Sequence, residues 1–88
     1  MMLTKVLALE AGPYGVTVNC ICPGSIRTQI SASDSMEAIP THIPIRRYGR
    51  PTDVAHLVAY LASEAASYMT GSVIVLDGGA TAGRSRQR

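Results

Sequence analysis

The chain has 88 residues, 47 % of them hydrophobic, and a formal net charge of +2. That is enough for one small globular domain, and it excludes a body disordered throughout. No apolar run reaches the roughly 20 residues that cross a bilayer, and a charge this small does not call for nucleic acid.

The opening Met1-Met2-Leu3-Thr4-Lys5 lacks the basic flank, apolar run and cleavage site of a secretory signal, so a cytoplasmic location is expected. Met1 to Ala11 then reads as helix, with Leu3, Val6, Leu7 and Met2, Val6, Leu9 as i, i+3, i+4 stripes. Gly12 and Pro13 are expected to end it. No Ser, Thr, Asp or Asn precedes the periodicity, so the helix reads as one entered partway along.

Gly15 to Cys22 reads as a strand covered on two sides. Val16, Val18, Cys20 and Cys22 share one face, and Thr17, Asn19 and Ile21 the other. Cys20 and Cys22 are expected to be buried, reduced thiols, because extended backbone holds such neighbours too far apart for a disulfide. His42 and His56 are distant in sequence, so no metal set is expected. Pro23-Gly24 turns the chain out of the strand.

Periodicity is lost from Gln29 to Arg50. Ser31, Ser33, Asp34 and Ser35 suggest a mobile stretch and Met36 to Ile39 a short helical turn, and Pro40 and Pro44 prevent a long helix. A loop of this length is typically functional or disordered. Pro51 to Ala62 is the clearest helix, with Val54, Leu57, Val58 and Leu61 on one stripe, His56, Tyr60 and Ser63 on another side, and Pro51 and Asp53 suited to its first turn. Tyr68, its ring expected to pack locally, leads through Gly71 into the strand Ser72 to Leu76, which Asp77-Gly78-Gly79 ends in a tight turn. The order implies two parallel strands joined by a crossover helix. Arg84, Arg86 and Arg88 lie in a basic, solvated tail.

Taken together, the helix, the strand ending in Pro23-Gly24, the irregular loop, Arg47-Tyr48-Gly49-Arg50-Pro51 and the strand running into Asp77-Gly78-Gly79 resemble the C-terminal portion of a short-chain dehydrogenase/reductase. The resemblance implies an α/β fold: the C-terminal part of a Rossmann-type doubly wound parallel sheet, as helix-strand-loop-helix-strand. It spans residues 1–80, with 81–88 as a basic disordered tail. It further implies NAD or NADP as cofactor, with Pro23, Gly24, Ile26 and Thr28 as cofactor-binding residues. The backbone of Ile26 would meet the nicotinamide carboxamide, the hydroxyl of Thr28 the carboxamide or a phosphate, and Arg27 would help screen the pyrophosphate. A small alcohol or ketone would be the substrate. The Pro51 helix and last strand, Tyr60 included, would form a subunit surface, giving a homo-oligomer or docking to a related subunit.

The family's catalytic Tyr-x-x-x-Lys pair is not found. The residues four beyond Tyr14, Tyr48, Tyr60 and Tyr68 are Val18, Thr52, Glu64 and Ser72, and the single lysine, Lys5, reads as a solvated helix-face charge. No glycine-rich dinucleotide or phosphate loop can be drawn either. The chain alone is therefore expected to be inactive, with no catalytic residue of its own. An alternative is a short non-catalytic protein that docks onto a full-length dehydrogenase or another partner, and a weaker one is an adaptor working through its basic tail. Met2, Leu3, Val6, Val18 and the outer edge of the first strand would lack neighbours, which marks the chain for association.

Overall fold

The computed structural model describes residues 1–27 and 39–83. In chain order these form α1 (Met2–Ala11), β1 (Cys20–Pro23), α2 (Pro51–Leu61) and β2 (Val73–Leu76), with 3-10 turns at Gly12–Tyr14 and Glu64–Ala66. β1 and β2 pair in parallel with Cys20 opposite Val73 and Pro23 opposite Leu76, as the order of elements implies. No described helix is long and apolar enough to cross a membrane.

Both helices form where periodicity places them, but α1 ends differently. Gly12 stays right-handed at φ −53 and the chain tightens into the Gly12–Tyr14 turn, whose first positions accept Pro13 because its missing N–H has no partner to lose. The left-handed residue is Gly15, at φ 75, and its N–H donates to the Gly12 carbonyl over 2.9 Å.

β1 is shorter than the sequence suggests, beginning at Cys20 rather than Gly15. Residues 18 and 19 lie alongside the turn that precedes β2, where side chains take over from the ladder. Val18 N–H donates to Thr70 Oγ1 at 3.0 Å, and Gly71 N–H donates to the Val18 carbonyl at 2.7 Å. Asn19 uses both ends of its amide: Nδ2 donates to the Met69 carbonyl and Oδ1 accepts from Ser72 N–H, each at 3.1 Å.

Burial is sparse. Among the described residues the buried apolar side chains are Ala8, Ile43 and Ala66, with Thr4 the buried polar one. Helix α1 lays its small Thr4–Ala8 face inward, and Ala8 Cβ comes within ordinary contact distance of the space above Gly71. Lys5 is not a purely solvated charge: its Nζ donates to the Gly71 carbonyl over 2.6 Å and ties α1 to the same turn. The large residues of α1 face outward, with Met2 82 % and Leu9 80 % exposed.

Two further expectations are corrected by this geometry. Cys20 and Cys22 are free thiols, as read, but half-buried rather than buried. Tyr68 projects fully into solvent instead of packing, while the preceding Glu64–Ala66 turn buries Ala66.

An apolar face of this size on one helix favours contact over hydration, at about 25 cal/mol for each Å² removed from water. The chain is therefore expected to self-associate in sedimentation as concentration rises, and Leu3→Lys with Leu9→Glu to shift it toward monomer. A concentration-independent monomer with one cooperative unfolding transition would refute this.

Candidate functional site

The parallel pairing brings the carboxyl ends of both strands to one edge, where ligands of open α/β sheets bind. Just past that edge, Gly24 N–H donates to the Leu76 carbonyl at 2.9 Å and extends the ladder by one bond. A Cβ on Gly24 would lie 2.7 Å from Asp77 Cβ, so the close crossing of the two chains requires glycine there.

Beyond Gly24 the chain bridges to the segment before α2. Gly49 N–H donates to the Ser25 carbonyl and Arg27 N–H to the Gly49 carbonyl, each at 2.9 Å. This parallel bridge is centred on Ile26 but uses the groups on either side of it. The N–H and C=O of Ile26 itself take no part in it. Arg27 sets its guanidinium over the Tyr48 ring at 4.1 Å from the centroid, and His42 meets the same ring edge-on at 6.4 Å. Thr28, the fourth residue implied in cofactor binding, lies outside the described residues, as do Ser31 to Met36 and the Arg84–Arg88 tail.

The irregular segment is more ordered at its later end than its composition suggests. Ile43 is buried, Ile45 N–H donates to the Gly78 carbonyl at 3.1 Å, and Arg46 N–H donates to the Ile43 carbonyl at 2.8 Å. Arg46 takes a left-handed φ of 67, and its guanidinium donates to the Thr41 carbonyl at 2.9 Å. These contacts fold residues 40–46 over the end of β2. A cavity of about 250 Å³ remains between them, apolar along Ile26, Ile45 and Leu76 and polar at Arg47, Asp53 and His56. A second, of about 360 Å³, opens beside Cys22, Pro23, Gly24 and Val75.

Two carboxylates fix the walls. Asp53 accepts from Arg47 Nη1 at 2.9 Å and from the Arg50 N–H at 2.7 Å, capping α2 where Pro51 begins it. The Arg47 guanidinium and then the Arg50 N–H hold its carboxyl down at about 2. Asp77 accepts from the Thr81 hydroxyl and from the N–H groups of Gly79 and Thr81, which pulls its carboxyl below the ordinary value. It thereby builds the tight turn expected at Asp77-Gly78-Gly79.

Because the folded Asp53 value is below that of an unfolded chain, its stabilisation is complete above the unfolded value near 3.8 and disappears as pH falls through about 2. An NMR titration of the Asp53 carboxyl is expected to show a midpoint near 2, and Arg47→Ala to move it toward the ordinary aspartate range. An unchanged midpoint in that variant would remove Arg47 as the cause.

The bonding role of Asn19 and the burial of Ile43 have no counterpart in the sequence patterns. Asn19 had one available signal: asparagine is depleted in strand interiors and stays there when its side chain has backbone to satisfy. Among the described residues no group of three or more His, Cys, Asp or Glu is placed to hold a metal.

Parallel strands with a helix between them and a loop site at their carboxyl ends define part of a Rossmann-type α/β sheet. A family model described as enoyl-(acyl carrier protein) reductase matches residues 1–81. The 3-oxoacyl-[acyl-carrier-protein] reductase of Rickettsia conorii is 45 % identical over 80 residues, covering 88 % of this chain and 33 % of that protein. Dehydrogenase/reductase SDR family member 4 of Homo sapiens is 43 % identical over 82 residues, covering 88 % and 30 %. The structure of 4-hydroxyisoleucine dehydrogenase complexed with NADH superposes with a TM-score of 0.79 at 42 % identity, covering 94 % of this chain and 35 % of that one. The chain belongs to the short-chain dehydrogenase/reductase family. It spans about a third of the length of the curated relatives it matches.

Proposed function

We propose that the chain is the C-terminal portion of an NAD(P)-dependent oxidoreductase acting on a small alcohol or ketone. Residues 1–80 are the family segment and 81–88 an appended basic tail. The segment supplies the nicotinamide loop, part of the substrate lid and a subunit surface in a cytoplasmic homo-oligomer, and it is inactive alone.

The observation that carries this reading is the bridge around Ile26. It anchors Ser25 and Arg27 to Gly49 and leaves one amide donor and one carbonyl acceptor on the residue between them, at the carboxyl edge of the sheet. A nicotinamide carboxamide needs one acceptor and one donor, so the residues present fit the group. Pro23 and Gly24 set the path of the loop, and Thr28 is the residue proposed to add a hydroxyl. A nicotinamide bound there would supply the hydride, and the role of this chain would be to orient its ring. The NADH in the 4-hydroxyisoleucine dehydrogenase structure supports the cofactor class.

The deciding experiment isolates the product from its native source, weighs it intact and assays NADH- and NADPH-dependent ketone reduction. The expected result is a longer protein with Tyr-x-x-x-Lys upstream of Met1, active with one of the two cofactors, and no turnover by the 88-residue chain alone. Turnover by that chain, free of host enzyme, would overturn the assignment. A native 88-residue product without cofactor affinity would instead favour a non-catalytic protein docking through the exposed face of α1.

A further inference from the structure

We propose that Cys20 and Cys22 form a bidentate thiol site for a trivalent arsenical, a soft electrophile that bridges two sulfurs. The site is independent of the hydride chemistry, because neither thiol is asked to orient a cofactor.

Placement on β1 brings the pair together. Residues i and i+2 of a strand point to one face, and the two Sγ atoms lie 4.0 Å apart. That separation is too great for a direct S–S bond of about 2.05 Å unless the strand bends out of its ladder. A single arsenic atom inserted between the sulfurs closes the gap with side-chain rotation alone, leaving Cys20 opposite Val73 and Cys22 opposite Val75. Both thiols are half-buried and therefore reachable, and Cys22 lines the cavity of about 360 Å³ that opens beside Pro23 and Gly24.

The chemistry of the pair selects the ligand class. No described side chain joins them to complete a three-ligand group, so a four-coordinate structural zinc is not served. An arsenic carrying one organic substituent needs two sulfurs only, and soft sulfur donors suit a soft centre. Burial, followed by the hydrogen bond with Cys20, pushes the Cys22 thiol up, so it is neutral at pH 7 and a poor target for reagents that need a thiolate. Condensation with an arsenic oxide accepts neutral thiols. One As=O and two S–H bonds break, two As–S and two O–H bonds form, and one water leaves with both thiol protons. No oxidation state changes, so no oxidant or reductant is required.

The test is titration of the full chain with phenylarsine oxide, read by intact mass and by amide hydrogen exchange of the paired strands. One adduct per chain is expected, with the loss of one water, removed by dithiothreitol and resistant to an equal thiol concentration of 2-mercaptoethanol. Cys20→Ser and Cys22→Ser should each weaken binding about a hundredfold, because the second bond is lost with its high effective concentration. Cys20→Ala and Cys22→Ala should do the same, which separates loss of sulfur from a fault of the serine. The Cys20 and Gly24 amides, which donate to the Ser72 and Leu76 carbonyls, should remain protected in the adduct. Undiminished binding by either single variant, a second arsenical on the unaltered chain, or unprotected strand amides before or after binding would each overturn the proposal.

Discussion

Replacing Asn19 by alanine is expected to unfasten the start of the sheet, with a loss of about 2 kcal/mol in the stability of the β1–β2 unit. The side chain holds two backbone groups at once, the Met69 carbonyl and the Ser72 N–H, both at 3.1 Å and lying 50 and 53 residues away by the chain's own path. Alanine offers neither donor nor acceptor, and each orphaned, partly buried group costs about 1–3 kcal/mol, the lower end applying where water can enter. Amide exchange at Ser72 and Cys20 should accelerate together, because Cys20 N–H donates to the Ser72 carbonyl at 2.9 Å in the same junction. Asn19→Asp is a sharper probe: it keeps an acceptor for Ser72 and loses the donor to Met69, so an intermediate acceleration is expected. Equal exchange in all three proteins would show that the Asn19 amide does not hold the junction.

Gly78→Val should be the most damaging single change at the site. Gly78 has φ +65, and a Cβ there would lie 2.7 Å from the Cγ2 atoms of both Ile43 and Ile45. A left-handed conformation costs an ordinary side chain about 1–2 kcal/mol. Forced overpacking adds about 1–3 kcal/mol. The segment over β2 has a way to relieve this, by surrendering the bond from Ile45 N–H to the Gly78 carbonyl and lifting Ile43 out of its buried position. Loss of exchange protection at Ile45, with the Cys20–Pro23 pairing retained, is the expected signature. Gly12→Ala is the contrasting control: its φ of −53 and its open surroundings suit alanine, which should add about 0.4–1 kcal/mol by restricting the unfolded chain. A Gly78→Val protein with unchanged protection at Ile45 would mean that the two isoleucines do not pack on that glycine.

How much of this was legible beforehand depended on the range of the interaction. Both helices, the parallel pairing and the Asp77 turn follow from signals within a few residues: the Val54, Leu57, Val58, Leu61 stripe, Pro51 at a helix start, an aspartate before two glycines. What sequence could not place were bonds made across the fold. Lys5 finds the Gly71 carbonyl and Asn19 finds Ser72 only after β1 and β2 align, so neither carries a local pattern. β1 starts later than the alternation suggests for the same reason. Val16 to Asn19 alternate as a strand should, but β2 has no residues opposite them and the turn at Thr70 and Gly71 stands there instead. At the site, Pro23 and Gly24 lie at the carboxyl edge of the sheet, and the path of the half-buried Ile26 is set by the long-range bridge to Gly49, which no local pattern encodes. Ile43 sits in a stretch with no periodicity, and it is buried against the turn at Gly78, far away in sequence.

The register of the two strands also sets an order of events during synthesis. Cys20 must wait for Val73, 53 residues later, before its pairing with β2 can close. Loop closure over such a span is slow compared with helix formation. Through that interval α1 and α2 can form as isolated helices, each presenting apolar side chains to whatever is nearby. Of the two described strands, the one made last is thus the one that closes their pairing.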